Sequence, residues 1–144
     1  LRFDPVSIFS LPGKEAVIKK ILVVDDELVF LHSFAESLAG SDGNLRVLTA
    51  EDGAKALKVL ESEPVDLVVT DLRMPVMDGY QLIACLKRRY PRVFVIAMSA
   101  SIDPETERRL GSLGISHWIE KPRLVEDLVN TISQAKGVRP KTNP

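Results

Sequence analysis

The sequence predicts a single α/β domain, a parallel sheet with helices on both faces, and three observations predict it. Short apolar runs alternate with stretches of helical periodicity five times along the chain, the pattern of strand–helix units that build a parallel sheet. The runs are continuously apolar, as in "KKILVVDDE", "VDLVVT" and "RVFVIAMSA", which fits strands buried on both sides. The length of 144 residues suits one domain around one hydrophobic core.

The elements follow in order. "KKILVVDDE" is a strand that ends in acids, and Leu28, Leu31, Phe34, Ala35 and Leu38 then recur at helical spacing, with Gly40 as the stop. "LRVLTA" is strand-like, and Ala54, Leu57 and Leu60 mark a second helix closed by Pro64. "VDLVVT" is the third strand, and Leu82, Ile83 and Leu86 define a third helix before Pro91. "RVFVIAMSA" is the most apolar strand. "DPETERRLGSLG" reads as a helix with Asp103 as N-cap, Pro104 at its first position and Gly114 beyond its end. "SHWIE" is a short fifth strand, and Leu124, Val125, Leu128, Val129 and Ile132 make a last amphipathic helix. Residues 1–18 read as an N-terminal extension, 19–136 as the domain, and 137–144 as a polar, Pro-containing tail or the start of a linker. The chain begins at Leu1 rather than Met, so a processed form or a piece of a longer protein is expected.

Composition narrows the function. A net charge of −1 offers no electrostatic case for nucleic acid or an anionic membrane. "VFVIAMSASI" falls far short of the ~18 apolar residues a membrane-spanning helix needs. Asp4, Pro5 and Pro12 interrupt the N-terminus where a signal peptide requires an apolar stretch. The lone Cys85 excludes an internal disulfide and reads as a small core residue, which fits a reducing compartment. His32 and His117 lack metal-ligand spacing.

Ligands of an open parallel sheet bind outside the carboxyl ends of its strands. Asp25, Asp26 and Glu27 end the first strand, Asp71 the third, Ser99 the fourth, and Glu120 and Lys121 the fifth. Three clustered aspartates repel one another and need a cation. All-oxygen ligation with open positions suits Mg²⁺, which commonly brings a phosphate. Lys121, the Ser99 hydroxyl and the loop amides after Asp71 complement phosphoryl oxygens, and a carboxylate can act as a nucleophile towards phosphorus. An apolar strand that ends on Asp71 is thereby explained: the acid is the expected acceptor, balanced by Mg²⁺ and Lys121.

Taken together, "VVDDE", "VVTDLRMPVMDG", "IAMSA" and "WIEKP" resemble the receiver domain of bacterial two-component response regulators, over roughly Lys19 to Lys136. Each motif is weak alone; the four in this order are specific. The resemblance implies a flavodoxin-like, doubly wound (βα)5 fold with a five-stranded parallel sheet in the order 2-1-3-4-5. It implies Asp71 as phosphoacceptor and Lys121 as the phosphate-binding lysine. Asp26, Asp25, Asp71 and the backbone carbonyl of Arg73 would hold Mg²⁺, or Mn²⁺ in its place, with Asp25 acting directly or through water. Ser99 matches the switch hydroxyl and Trp118 the switch aromatic, although tyrosine or phenylalanine is more usual there. A cis Lys121–Pro122 bond is implied as well. Arg73 and Ser101 sit where the family tunes dephosphorylation. The implied role is a cytoplasmic phospho-switch that catalyses only its own phosphorylation and dephosphorylation. Its implied partners are a sensor histidine kinase or phosphotransfer protein, an output partner, and a second copy in a phosphorylation-dependent homodimer through the fourth helix, fifth strand and fifth helix.

Other readings compete. The acids after the first strand could be a helix cap with surface charges, and Asp71 a turn residue before Pro75. Asp78 and Gly79 read as an N-cap and a permissive turn. The charged "PETERR" helix is either a solvated face or part of the partner surface. An aspartate-nucleophile phosphatase of the haloacid-dehalogenase type would carry a second acid two residues after the nucleophile, where Arg73 stands. A flavodoxin-like cofactor binder would need a phosphate-cradling loop after the first strand, where "DDELVF" is acidic and lacks glycine. Finally, the receiver could be a module of a larger regulator, hybrid kinase or signalling enzyme; no DNA-reading helix-turn-helix or catalytic domain follows Lys136 in this sequence.

Overall fold

The computed structural model describes residues 18–41 and 43–121. In chain order these form β1 (Lys20–Val24), α1 (Leu28–Ser41), β2 (Arg46–Ala50), α2 (Gly53–Ser62) and β3 (Leu67–Asp71). They continue as α3 (Gly79–Arg89), β4 (Phe94–Ser99), α4 (Pro104–Ser112) and β5 (Trp118–Glu120). All four strand pairings are parallel, and the sheet order is β2-β1-β3-β4-β5. The expected fold class and strand order hold. The expected fifth helix, the Lys121–Pro122 bond and the C-terminal tail lie outside the described residues.

Alternation along the strands sorts side chains into two cores. Leu22, Val24, Val68, Val95 and Ala97 pack with Ala56 and Leu60 of α2, Leu82, Ile83 and Leu86 of α3, and Leu110 of α4. Ile21, Val23, Leu67, Val69, Ile96 and Met98 pack with Leu31, Phe34 and Leu38 of α1 on the opposite face. Burying one such side chain contributes about 1.5–3 kcal/mol, so this two-faced burial is what holds the carboxyl edge of the sheet in place. At the opposite edge, Asp66 Oδ2 accepts from the N–H of Lys19 and Lys20 at 2.8 and 2.9 Å, tying β1 to β3.

The helix starts are set locally. Asp52 accepts from the Lys55 N–H, and Asp103 from the Thr106 N–H with Pro104 at the first position. Asp78 and Gln81 form a reciprocal capping box. Gly114 takes φ +81 beyond α4, a conformation that favours glycine.

Two finer expectations are corrected, for Gly40 and Cys85, and two apolar positions of the expected helices are less buried than their neighbours. Gly40 lies inside α1, which runs on to Ser41; a lone glycine weakens a helix without necessarily ending it. Leu28 is 46% exposed, because the first residue of α1 stands at the rim, beyond the packed sheet. On α2 the buried apolar positions are Ala56 and Leu60, with Leu57 only half-buried. Cys85 is half-buried rather than a core residue.

Gly79 is required for space, not for a permissive turn. A Cβ there would lie 2.2 Å from the Asp71 carbonyl oxygen and 2.6 Å from Leu72 Cα. These are backbone atoms that cannot swing aside. We therefore expect Gly79→Ala to cost about 2–4 kcal/mol, measured by urea unfolding; a near-wild-type stability would show that the loop yields.

Candidate functional site

The site is built at the carboxyl edge, where β1, β3, β4 and β5 deliver their last residues. The Asp25 N–H donates to the Ala50 carbonyl at 3.1 Å, extending the β1–β2 ladder by one step. This holds the Asp25 side chain inside the protein, fully buried. Its Oδ1 accepts from the Glu27 N–H at 2.9 Å, so the acidic turn closes on itself. Asp26 and Glu27 are exposed.

Asp71 is the last residue of β3, in register with Met98, and is 6% exposed. Its Oδ1 lies 3.4 Å from the Arg73 N–H, a long contact from the loop amide. Ser99 ends β4 and is 3% exposed. The Lys121 N–H donates to the Ser99 carbonyl, which aims the lysine back across the edge. Lys121 Nζ then stands 2.9 Å from Asp25 Oδ2 and 3.4 Å from Asp71 Oδ2, and it also pairs with Glu27 Oε1.

The structure thus brings Asp25, Asp26, Asp71 and Lys121 to one point. One carboxylate oxygen from each of the three aspartates lies within 4.8 Å of the other two. Trp118 pairs with Ala97, is half-buried, and packs on the core face shared with α2, α3 and α4. The Arg73 side chain is exposed and lines a groove with Asp78, Tyr80, Asp103, Thr106 and Arg109. There Arg109 lies over the Tyr80 ring, 3.7 Å from its centroid.

Electrostatics mark this cluster as under-compensated. Burial, and then the nearby Asp71 charge, push the Asp25 carboxyl up to about 6, against the Glu27 N–H and the Lys121 ammonium, which pull it down. Burial alone would lower the Lys121 pKa; the Glu27, Asp25 and Asp71 carboxylates overcome that and hold it above the usual lysine range. Asp25 Oδ2 is buried and pairs with the Lys121 ammonium at 2.9 Å without a well-aligned hydrogen bond. A buried carboxylate oxygen left in this condition is costly. An oxygen-preferring divalent cation between the three aspartates would satisfy it, so the residues present fit Mg²⁺.

Three features escaped sequence reasoning. Glu27, one of the acids that follow the first strand, is a direct partner of Lys121, and the Phe30 ring lies 4.9 Å from the ammonium; no motif pairs either residue with the lysine. The third is Val76 in the loop after Asp71. It takes φ 70 and is 84% exposed, while the Met77 N–H reaches the Pro75 carbonyl at 2.8 Å. That is a γ-turn in a strained conformation for a β-branched residue, in the loop that follows the β3 acid.

Fold and site together define an α/β domain of the response-regulator type, with an acidic cluster and one lysine at the carboxyl edge. The chain belongs to the response regulator receiver domain family, whose profile matches residues 21–133. It is 40% identical over 107 residues to the Bacillus subtilis regulatory protein PhoP, covering 72% of this chain and 42% of PhoP. It is 32% identical over 115 residues to the Escherichia coli regulator NtrC, covering 80% of this chain and 24% of NtrC. The chain therefore spans less than half the length of PhoP and about a quarter of NtrC. A Burkholderia pseudomallei response regulator, solved with a phosphorylated aspartic acid, a calcium ion and citrate, superposes with a TM-score of 0.71 and 25% identity, covering 79% of this chain and 66% of that one. Receivers of this family are phosphoacceptor switches that generally bind Mg²⁺ at an acidic pocket, rather than enzymes acting on outside substrates. No described helix is long and apolar enough to cross a membrane.

Proposed function

We propose that Asp71 is the phosphoacceptor of this receiver. The observation that carries this is the convergence of the Asp71 carboxylate, the Lys121 ammonium and the buried Asp25 carboxylate at one point of the sheet edge. The donor is a histidine kinase or a phosphotransfer protein. An Asp71 oxygen attacks phosphorus, the P–N bond to the donor histidine breaks, and its electron pair leaves with the imidazole nitrogen, which takes a proton. The new bond is an acyl phosphate. Lys121 pairs with a phosphoryl oxygen, and the loop amides after Asp71 donate to the others. Asp25, Asp26, Asp71 and the Arg73 carbonyl would hold Mg²⁺, which supplies charge neutralisation of the phosphoryl oxygens when bound.

In this reading Ser99 is the switch hydroxyl and Trp118 the switch aromatic. The phosphoryl charge draws the Ser99 hydroxyl toward Asp71 and biases the α4–β5 surface between two states. The output is a protein contact, with a second copy or another partner docking on that surface, in the cytoplasm. The receiver module comprises residues 19–136. A receiver within a longer regulator fits the partial span of PhoP and NtrC, and the output of such a protein would lie outside this module.

Intact mass after incubation with Mg²⁺ and acetyl phosphate tests the reading. A single phosphoryl adduct that requires Mg²⁺ is expected; its absence, with a beryllofluoride complex also absent, would overturn it. Arg73 is exposed two residues after the acceptor, and in this reading its side chain either shields the acyl phosphate from water or pairs with it. We expect Arg73→Ala to hydrolyse threefold faster or more, and equal rates would refute the shielding.

A further inference from the structure

We propose that Glu27 is a positioning residue for Lys121, competing with the incoming phosphoryl group for the ammonium and so setting the rate at which Asp71 is phosphorylated. This rests on the phosphoacceptor reading above. Lys121 Nζ has three carboxylate partners, Asp25, Asp71 and Glu27. Two of them belong to the cluster that fits a divalent cation; Glu27 does not. A cation held by the aspartates would compete with the ammonium for Asp25 and Asp71, whereas Glu27 would keep its pair with Lys121.

The geometry favours such a holding position. The Glu27 side chain is 65% exposed while that of Lys121 is 16% exposed, so Glu27 draws the ammonium from the solvent side of the edge. The Phe30 face lies 4.9 Å from Nζ and supports the same placement. The Glu27 main chain is fixed independently, by its N–H to Asp25 Oδ1. Removing the side-chain charge therefore leaves the acidic turn closed. Glu27 is itself largely exposed, so its pair with Lys121 is worth little to stability, and its consequence is kinetic: Lys121 must leave Glu27 before it can meet the phosphoryl oxygens.

The test compares wild type, Glu27→Gln, Lys121→Met and the double variant. Adduct formation from acetyl phosphate is followed by intact mass at saturating Mg²⁺, and the lysine Cε–Hε resonances are followed by NMR without Mg²⁺. We expect Glu27→Gln to raise the phosphorylation rate three- to tenfold and to shift the Lys121 resonance in the metal-free protein. In the Lys121→Met background the same substitution leaves the residual rate unchanged. An unchanged or lower rate in Glu27→Gln overturns the proposal, as does an unmoved Lys121 resonance. An equal rate rise in the Lys121→Met background also overturns it, because Glu27 would then act on the donor's charge without the lysine. A wild type that forms no adduct while the resonance still shifts overturns the phosphoacceptor reading instead, and this proposal with it.

Discussion

Asp71→Asn is expected to abolish the phosphoryl adduct, a loss of at least about a thousandfold, while leaving the fold intact. A carboxamide has nearly the shape of the carboxylate but is a far poorer nucleophile. The side chain is the last of β3, its neighbours Thr70 and Leu72 are buried, and it is itself only 6% exposed. The strand register from Leu67↔Phe94 to Asp71↔Met98 rests on backbone bonds that the substitution does not touch. Circular dichroism should therefore match the wild type while intact mass shows no adduct. An adduct that persists in Asp71→Asn would move the chemistry to Asp26 or another nearby group.

The second large effect is on stability. Asp25→Asn is expected to stabilise the metal-free protein by roughly 1–3 kcal/mol at neutral pH, and to weaken Mg²⁺ binding at least about tenfold. The Asp25 carboxyl rises from 3.8 to about 6 in the folded chain. Its ionisation therefore works against folding. The penalty is absent below about pH 4, grows as pH rises through 6, and is complete above that. The advantage of Asp25→Asn should follow the same course, vanishing in acid and full at pH 7. The amide oxygen can still accept from the Glu27 N–H, and Lys121 keeps Glu27 and Asp71. Saturating Mg²⁺ should reverse the order, because the cation binds the folded wild type. Urea unfolding at pH 4 and pH 7, with and without Mg²⁺, checks all four corners. A variant less stable than wild type at pH 7 without Mg²⁺ would show that the ion pair with Lys121 outweighs burial.

Both predictions concern a site that is stable only as a compromise. The core places Asp25 and Asp71 where three carboxylates must share one ammonium. Such an edge is poor for stability and well suited to capturing a cation with a phosphoryl group.

By itself, the sequence determined the class of fold, because continuous apolar runs and helical periodicity are local properties of "KKILVVDDE" or "DPETERRLGSLG". It also determined which acids and which lysine reach the carboxyl edge, since a parallel sheet delivers every strand end to the same side. The caps at Asp78 and Asp103 were legible for the same reason: their partners lie three residues away. Only the tertiary structure decided how the charges divide. Glu27 meets Lys121 across 94 residues of chain, and nothing in "DDELVF" marks it as the lysine's partner. Nor could periodicity show that Gly79 lies against the Asp71 carbonyl, or that Leu28 stands at the rim while Leu31 is buried. Those outcomes depend on how helices and loops meet at the sheet edge, where a shift of an ångström decides whether a side chain pairs, packs or faces water.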